Sequence, residues 1–380
     1  MEGRTPLQHC LHMATELNYV VWTDLDNEGQ LSRLLIANPT SIQMIRTWPY
    51  VVLIDTTYKT NKQKWPLCEV IGMTPTNHNF LVAFCLMRDE AAVSYSWVLQ
   101  GLRDIFGTAQ TPSVIVTDRD EGLSAAIRDV FPDVRHLLCI WHIGNDVENM
   151  VDKLCGGKKN QQGQVFRKSR WNPLVESSTI EEYEDKWQVI VSTWSLRNKK
   201  VVRYLTGTWI PLREKFVRAW TNDCLHLGNR TTSRVESQHS SFKYYLGSGN
   251  SSFDTLFKRA HAQITNQQAT IRQALQDSMS SVQRSMRQHY FRPLYRHISL
   301  YALEQLQLEY NRMLELVDEV LKSDPAVVRR MSQLLEYELH PDGAEIPEPY
   351  ANHLLAVEGL HLLPAGDLVA DLVVERRNPQ

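Results

Sequence analysis

The chain has 380 residues, 43% of them hydrophobic and 22% charged. That is longer than a typical single domain and apolar enough for a packed core, which excludes a disordered or low-complexity chain. The formal net charge of −2 excludes a global attraction to nucleic acid, so any such binding must use local basic patches.

In chain order, residues 1–47 read as a mixed leader. Tyr19 to Thr23 and Leu31 to Ile36 flank the turn-like Asp24-Leu25-Asp26-Asn27-Glu28-Gly29, which suggests a hairpin. Three strands are expected at 50–58, 67–74 and 79–87, the last two joined by Pro75-Thr76-Asn77-His78, a stretch with turn chemistry. A helix follows at 91–107, with Val93, Trp97, Leu99 or Gln100, and Leu102 near helical spacing and Gly107 as its stop. Then come a strand at 113–118, a helix at 121–130 that ends before Pro132, a strand at 134–139 and a helix at 141–154. Lys158 to Arg170 reads as a basic, polar loop. Ile180–Trp194 and Val201–Trp220 read as helices with Trp187, Trp194, Trp209 and Trp220 available for packing. Further helices are expected at 231–246, 253–287 and 298–338, before a Pro-rich and then apolar tail. Pattern alone gives a mixed α/β fold, and three antiparallel strands followed by alternating helix and strand is the order of a ribonuclease-H-like sheet.

Three acids stand out. Asp55 ends the apolar run Val51-Val52-Leu53-Ile54, and Asp118 ends Val114-Ile115-Val116-Thr117. A β-branched run followed at once by Asp reads as a buried strand that delivers a carboxylate to a sheet end. Glu236 lies on the expected helix 231–246, with His239, Ser240 and Lys243 on the same face. Two strand-end carboxylates and one helical carboxylate make an oxygen-ligand set suited to Mg²⁺ or Mn²⁺. Each acid also has a plain reading: Asp55 as a turn cap, Asp118 as a helix N-cap, Glu236 as a solvated surface residue.

Cys139-Ile140-Trp141-His142 is a C-x-x-H motif without a second pair at ligand spacing, so Cys139 and His142 are expected to be structural or to support the acids, and no zinc is expected. Basic residues cluster locally. Lys153 to Arg170 holds six and no acid, and Arg197 to Arg218 holds Arg197, Lys199, Lys200, Arg203, Arg213, Lys215 and Arg218 with Glu214 as the only acid. Tyr204, Trp209, Phe216 and Trp220 interleave with the second cluster, a composition that suits nucleic-acid contact. Lys199, Lys200, Arg203, Arg213 and Lys243 are the candidate phosphate contacts.

Together these motifs resemble the transposases of Mutator-like elements, a DDE-type family. The resemblance covers roughly 48–300. It rests on Leu53-Ile54-Asp55-Thr56-Thr57-Tyr58-Lys59-Thr60-Asn61, Thr117-Asp118-Arg119-Asp120, Phe131-Pro132, Cys139-Ile140-Trp141-His142-Ile143 and Asn229-Arg230-Thr231-Thr232-Ser233-Arg234-Val235-Glu236-Ser237. It implies catalytic and metal-binding roles for Asp55, Asp118 and Glu236, two Mg²⁺ (or Mn²⁺) ions, double-stranded DNA as partner, and a homo-oligomer assembled on DNA. It also implies a ribonuclease-H-like core in two parts, 48–155 and 231–290, interrupted by a helical insertion at 156–230 and followed by a helical region and tail at 291–380. The zinc-binding modules that often flank the family's core are not visible in the sequence.

The expected function is therefore metal-dependent DNA cleavage and strand transfer. The alternatives are a domesticated, transposase-derived DNA-binding regulator and a ribonuclease-H-like nuclease unrelated to transposition. No apolar run approaches the ~20 residues of a membrane-spanning helix. Met1–Gln8 lacks a secretory core, and the six cysteines are scattered without a CxxC pair, which together point to the nucleus or cytosol.

Overall fold

The computed structural model describes residues 3–57, 61–108, 110–157, 161–230, 251–280 and 289–323. They form two compact units, one of the described residues up to Met73 with those of Asn79–Ile264, the other of Thr74–His78 with the described residues from Thr265 to Ser323.

The first unit is a mixed α/β structure around a seven-stranded sheet. Its strands are β1 (Val20–Leu25), β2 (Leu31–Ala37), β3 (Val51–Thr57), β4 (Leu67–Met73), β5 (Asn79–Met87), β6 (Val114–Thr117) and β7 (Arg135–Leu138), in the spatial order β1-β2-β5-β4-β3-β6-β7. The β3–β6 and β6–β7 pairs are parallel, and every other pair is antiparallel. The leader hairpin thus extends the sheet, because β2 pairs with β5 from Arg33↔Met87 to Ala37↔Ala83. The central strands β3, β4 and β5 are buried along almost their whole length. Covered on both faces, they read as unbroken apolar runs rather than alternating ones.

Helices α1 (Pro6–Glu16), α2 (Pro39–Thr47), α3 (Ala92–Phe106), α4 (Glu121–Val130) and α5 (Ile140–Leu154) complete this part. The buried face of α3 is Tyr95, Val98, Leu99, Leu102, Ile105 and Phe106. Val93, expected on that face, is 68% exposed. The apolar stripe starts two residues later, at Tyr95, whose hydroxyl reaches Thr56 Oγ1.

The stretch expected as a basic loop is instead helical. It holds α6 (Gln162–Phe166), a π-helical turn (Arg167–Trp171) and α7 (Asn172–Val175). Phe166 and Trp171 are the reason. Both are buried in an apolar cluster with Val147, Val151, Trp194 and Trp209, while Lys168 and Arg170 stay exposed. Long α8 (Ile180–Thr208) is kinked at Asn198, whose side chain donates to the Leu154 carbonyl (3.0 Å) and accepts from the Lys200 amide (3.1 Å). Asn198 thereby serves as a cap inside the helix. Pro211 turns the chain into a 3-10 segment (Ile210–Lys215), so the helix expected to run to Trp220 ends at Thr208 and resumes only as α9 (Arg218–Thr221).

Helix α10 (Phe253–Ser280) buries Phe253, Leu256, Phe257, Ala260 and Ile264, in one cluster with α1 and with β3, β4 and β6. In the second unit, α11 (Leu300–Ser323) starts at Ser299, whose hydroxyl donates to the Pro75 carbonyl (2.6 Å) and accepts from the Ala302 amide (3.1 Å). Phe291 and Leu303 centre its small apolar cluster. No described helix is long and apolar enough to cross a membrane.

Two helical glycines make opposite predictions. A Cβ on Gly163 would lie 2.1 Å from the Glu148 carbonyl oxygen, a backbone atom that cannot swing away. Gly207 has nothing within 4 Å of the same added atom. Gly163→Ala is expected to destabilise by about 1–3 kcal/mol through overpacking. Gly207→Ala is expected to stabilise by about 0.5–1 kcal/mol through helix propensity. Chemical denaturation of both variants beside wild type checks the signs.

Candidate functional site

The site follows from strand register. In the parallel pair of β3 and β6, Ile54 lies opposite Thr117, so the next residue of each strand, Asp55 and Asp118, emerges side by side at one sheet edge. Asp55 is 4% exposed and its Oδ1 accepts from the Thr56 amide (2.8 Å). Asp118 is partly buried. Its N-cap reading is set aside, because Asp120 caps α4 by accepting from the Leu123 amide (2.7 Å).

Burial pushes the Asp118 carboxyl above its usual range, and Asp120 and Asp146 push it the same way against the pull of His142. His142, in the first turn of α5, feels the reverse. Burial disfavours its charge, but the hydrogen bond and charge of Cys139 and the carboxylates of Asp55 and Asp118 outweigh that and raise it to about 9. His142 of the C-x-x-H motif is thereby drawn toward its charged form beside the carboxylate pair. Cys139 is fully buried at the strand–helix junction, and its amide is held by the Thr117 carbonyl (2.8 Å).

Two further acids share this edge. Strand β5 runs parallel to β3 two places away, so the residues after it reach the same end of the sheet. Glu90 is raised to about 7 by burial first and then by Asp120 and Asp118. Its sequence signal was weaker than that of Asp55: an acid in the segment Arg88-Asp89-Glu90 that follows the buried strand β5. Glu69 lies opposite Asp55 in the β3–β4 register and is fully buried. An acid inside the apolar run Leu67-Cys68-Glu69-Val70-Ile71 was its signal.

Divalent metal of the hard kind takes carboxylate oxygens and fills its remaining positions with water or substrate oxygens. Asp55 and Asp118 offer hard oxygen donors, yet among the described residues no group of three His, Cys, Asp or Glu side chains is placed to hold a metal ion. Glu236 and Lys243 lie outside the described residues.

The basic candidates divide. Lys199, Lys200 and Arg203 are exposed on the second half of α8. Arg213 is half-buried, stacked over Trp220 (5.5 Å) and bonded to the Ile210 carbonyl (3.2 Å), so it serves packing. The interleaved aromatics are core rather than a stacking platform for bases. Trp209 and Phe216 are 1% exposed, and Tyr204 accepts from Trp209 Nε1 (2.8 Å). Composition alone does not distinguish buried aromatics from those of a binding face.

The MULE transposase domain model matches residues 51–146, from the start of β3 into α5, and so includes Asp55, Asp118, Cys139 and His142. The chain is 28% identical over 224 residues to Protein FAR-RED IMPAIRED RESPONSE 1 of Arabidopsis thaliana, a match covering 59% of this chain and 26% of that protein. It is 25% identical over 209 residues to Protein FAR1-RELATED SEQUENCE 2 of the same plant, covering 54% and 25%. The chain thus spans about a quarter of the length of these curated relatives.

Because the folded pKa of His142 is raised, its contribution to stability is full below its unfolded value of 6.5 and is lost as pH rises through about 9. His142→Gln is expected to cost about 1 kcal/mol at pH 6, after discounting for solvent screening, and much less at pH 10. Denaturant midpoints of both proteins at the two pH values test it. An equal gap at both would show that the imidazolium is not held by the acids.

Proposed function

We propose that this chain, whose residues 51–146 match the MULE transposase domain, is a transposase-derived DNA-binding protein of the nucleus, in which the acidic site has been kept as part of the fold. The observation that carries the reading is the exposed basic run Lys199, Lys200 and Arg203 on α8 of a chain otherwise near charge balance. Three cations on one helix half suit the phosphate backbone, a contact that is sequence-independent and salt-sensitive. The regulator reading is favoured over transposition by relatives whose names refer to a far-red response.

A second reading, DDE-type catalysis, is favoured by the side-by-side placement of Asp55 and Asp118. Strands β5-β4-β3 antiparallel, then β6 and β7 parallel to β3, is the arrangement expected of a ribonuclease-H-like sheet, with the helices of 161–221 as an insertion. In this reading Asp55, Asp118 and Glu236 would hold two Mg²⁺ or Mn²⁺ ions, which would activate the attacking oxygen and stabilise the leaving one. The chain's own part would be to fix the carboxylates, and His142 would have to yield its proton or its place as cation enters.

One experiment separates the two. On the full chain, duplex DNA binding is titrated with salt, and the His142 pKa is followed by NMR with and without Mg²⁺. The binding reading expects the triple variant Lys199→Ala/Lys200→Ala/Arg203→Ala to lower the slope of log K against log salt by about 2–3. It also expects Asp118→Ala to bind DNA as wild type does. A His142 pKa near 9 that ignores Mg²⁺ supports it. A pKa that falls toward 6.5 on adding Mg²⁺, with DNA cleavage abolished by Asp118→Ala, would overturn it in favour of catalysis.

A further inference from the structure

Beside Asp118, on the opposite face of the sheet, lies a polar chain that the carboxylate chemistry does not use. Lys215 Nζ in the 3-10 segment is 3.3 Å from His136 Nδ1 on β7. His136 Nε2 is 2.9 Å from Thr117 Oγ1 on β6. Thr117 Oγ1 donates to the Asp118 carbonyl oxygen (2.6 Å), which also accepts from the Asp120 amide (3.1 Å).

Donor counting fixes the direction of every link. The Thr117 hydroxyl has one hydrogen and spends it on Asp118, so it can only accept from His136, and Nε2 must carry a proton. An ammonium has no acceptor, so Lys215 donates and Nδ1 must present a lone pair. Both constraints, from opposite ends, select the same neutral tautomer and exclude the imidazolium. Burial, then the charges of Lys215 and Arg128, push His136 the same way, down to about 3. The chain ends on a carbonyl whose two lone pairs are both taken, which locks the turn from Asp118 to Asp120.

We propose that Lys215, His136 and Thr117 are positioning residues for Asp118: a one-directional hydrogen-bond chain that runs from the helical segment through β7 and holds the turn from which the Asp118 carboxylate is presented. The proposal rests on the second reading above only in giving the Asp118 carboxylate a function; under the binding reading the same hydrogen-bond chain holds the acidic end of the sheet as part of the fold. It gives the helical segment a task at the site besides carrying basic residues, since Lys215 belongs to that segment.

The test uses the full chain without DNA or metal. In ¹⁵N-histidine spectra at pH 7, His136 is expected to show a pyridine-type Nδ1 and a pyrrole-type Nε2. The Nδ1 signal should move in Lys215→Met. By hydrogen exchange, the Asp120 amide is expected to lose about tenfold protection in Thr117→Val, the scale of one buried hydrogen bond, and to keep it in Thr117→Ser. An Nδ1–H or doubly protonated His136 in wild type, an Nδ1 signal unmoved by Lys215→Met, or unchanged Asp120 protection in Thr117→Val would each overturn the chain. These readouts do not involve nucleic acid or cation, so their failure counts against the chain alone, whereas the functional reading stands or falls in the binding and cleavage assays.

Discussion

The parallel pairing of β3 with β6 is the constraint on which the rest depends. Its register sets Ile54 against Thr117, and so places two carboxylates next to each other, Asp118 just past the end of β6 and Asp55 two residues before the end of β3. Two like charges held this close in partly buried surroundings are costly unless something answers them. Several neighbouring features can be understood as that answer: the imidazolium of His142, the amide of Thr56 and the pinned turn after Asp118.

The electrostatics decide what the site can be. Burial alone would favour a neutral His142, and Cys139 and the two aspartates reverse it. The same imidazolium restrains the rise at Asp118, where burial leads and Asp120 and Asp146 add to it. The edge is therefore a network of carboxylates beside a histidine drawn toward its charged form. Such a network can persist in a protein that only binds DNA, and it can also be opened by a divalent ion that offers the carboxylates a better partner.

The helical segment was the least legible part of the chain, for a physical reason. Tryptophan and phenylalanine among lysines and arginines have the same composition whether the rings face bases or a core. Only packing separates the cases, and here Phe166, Trp171, Trp209 and Phe216 are all inside. That burial also explains why the stretch 162–175 is helix rather than loop, and why Arg213 is drawn into packing against Trp220 while Lys199, Lys200 and Arg203 remain in solvent. The expected face of α3 missed in a smaller way, since Val93 and Tyr95 are both plausible apolar positions until one knows which side meets the sheet.

By itself the sequence determined the elements whose cause is local. Apolar β-branched runs ending in Asp specify β3 and β6, the residues before Pro132 end α4, and the C-x-x-H motif marks the junction of β7 and α5. Tertiary structure alone decided which side chains those elements bring together. Glu69 faces Asp55 only through the β3–β4 register, Glu90 reaches the same edge only because β5 runs parallel to β3 two strands away, and His136 meets Lys215 only because the 3-10 segment folds back on β7. Each of these is a contact between residues distant along the chain. A one-dimensional pattern records the period of an element but not the partner that its register selects.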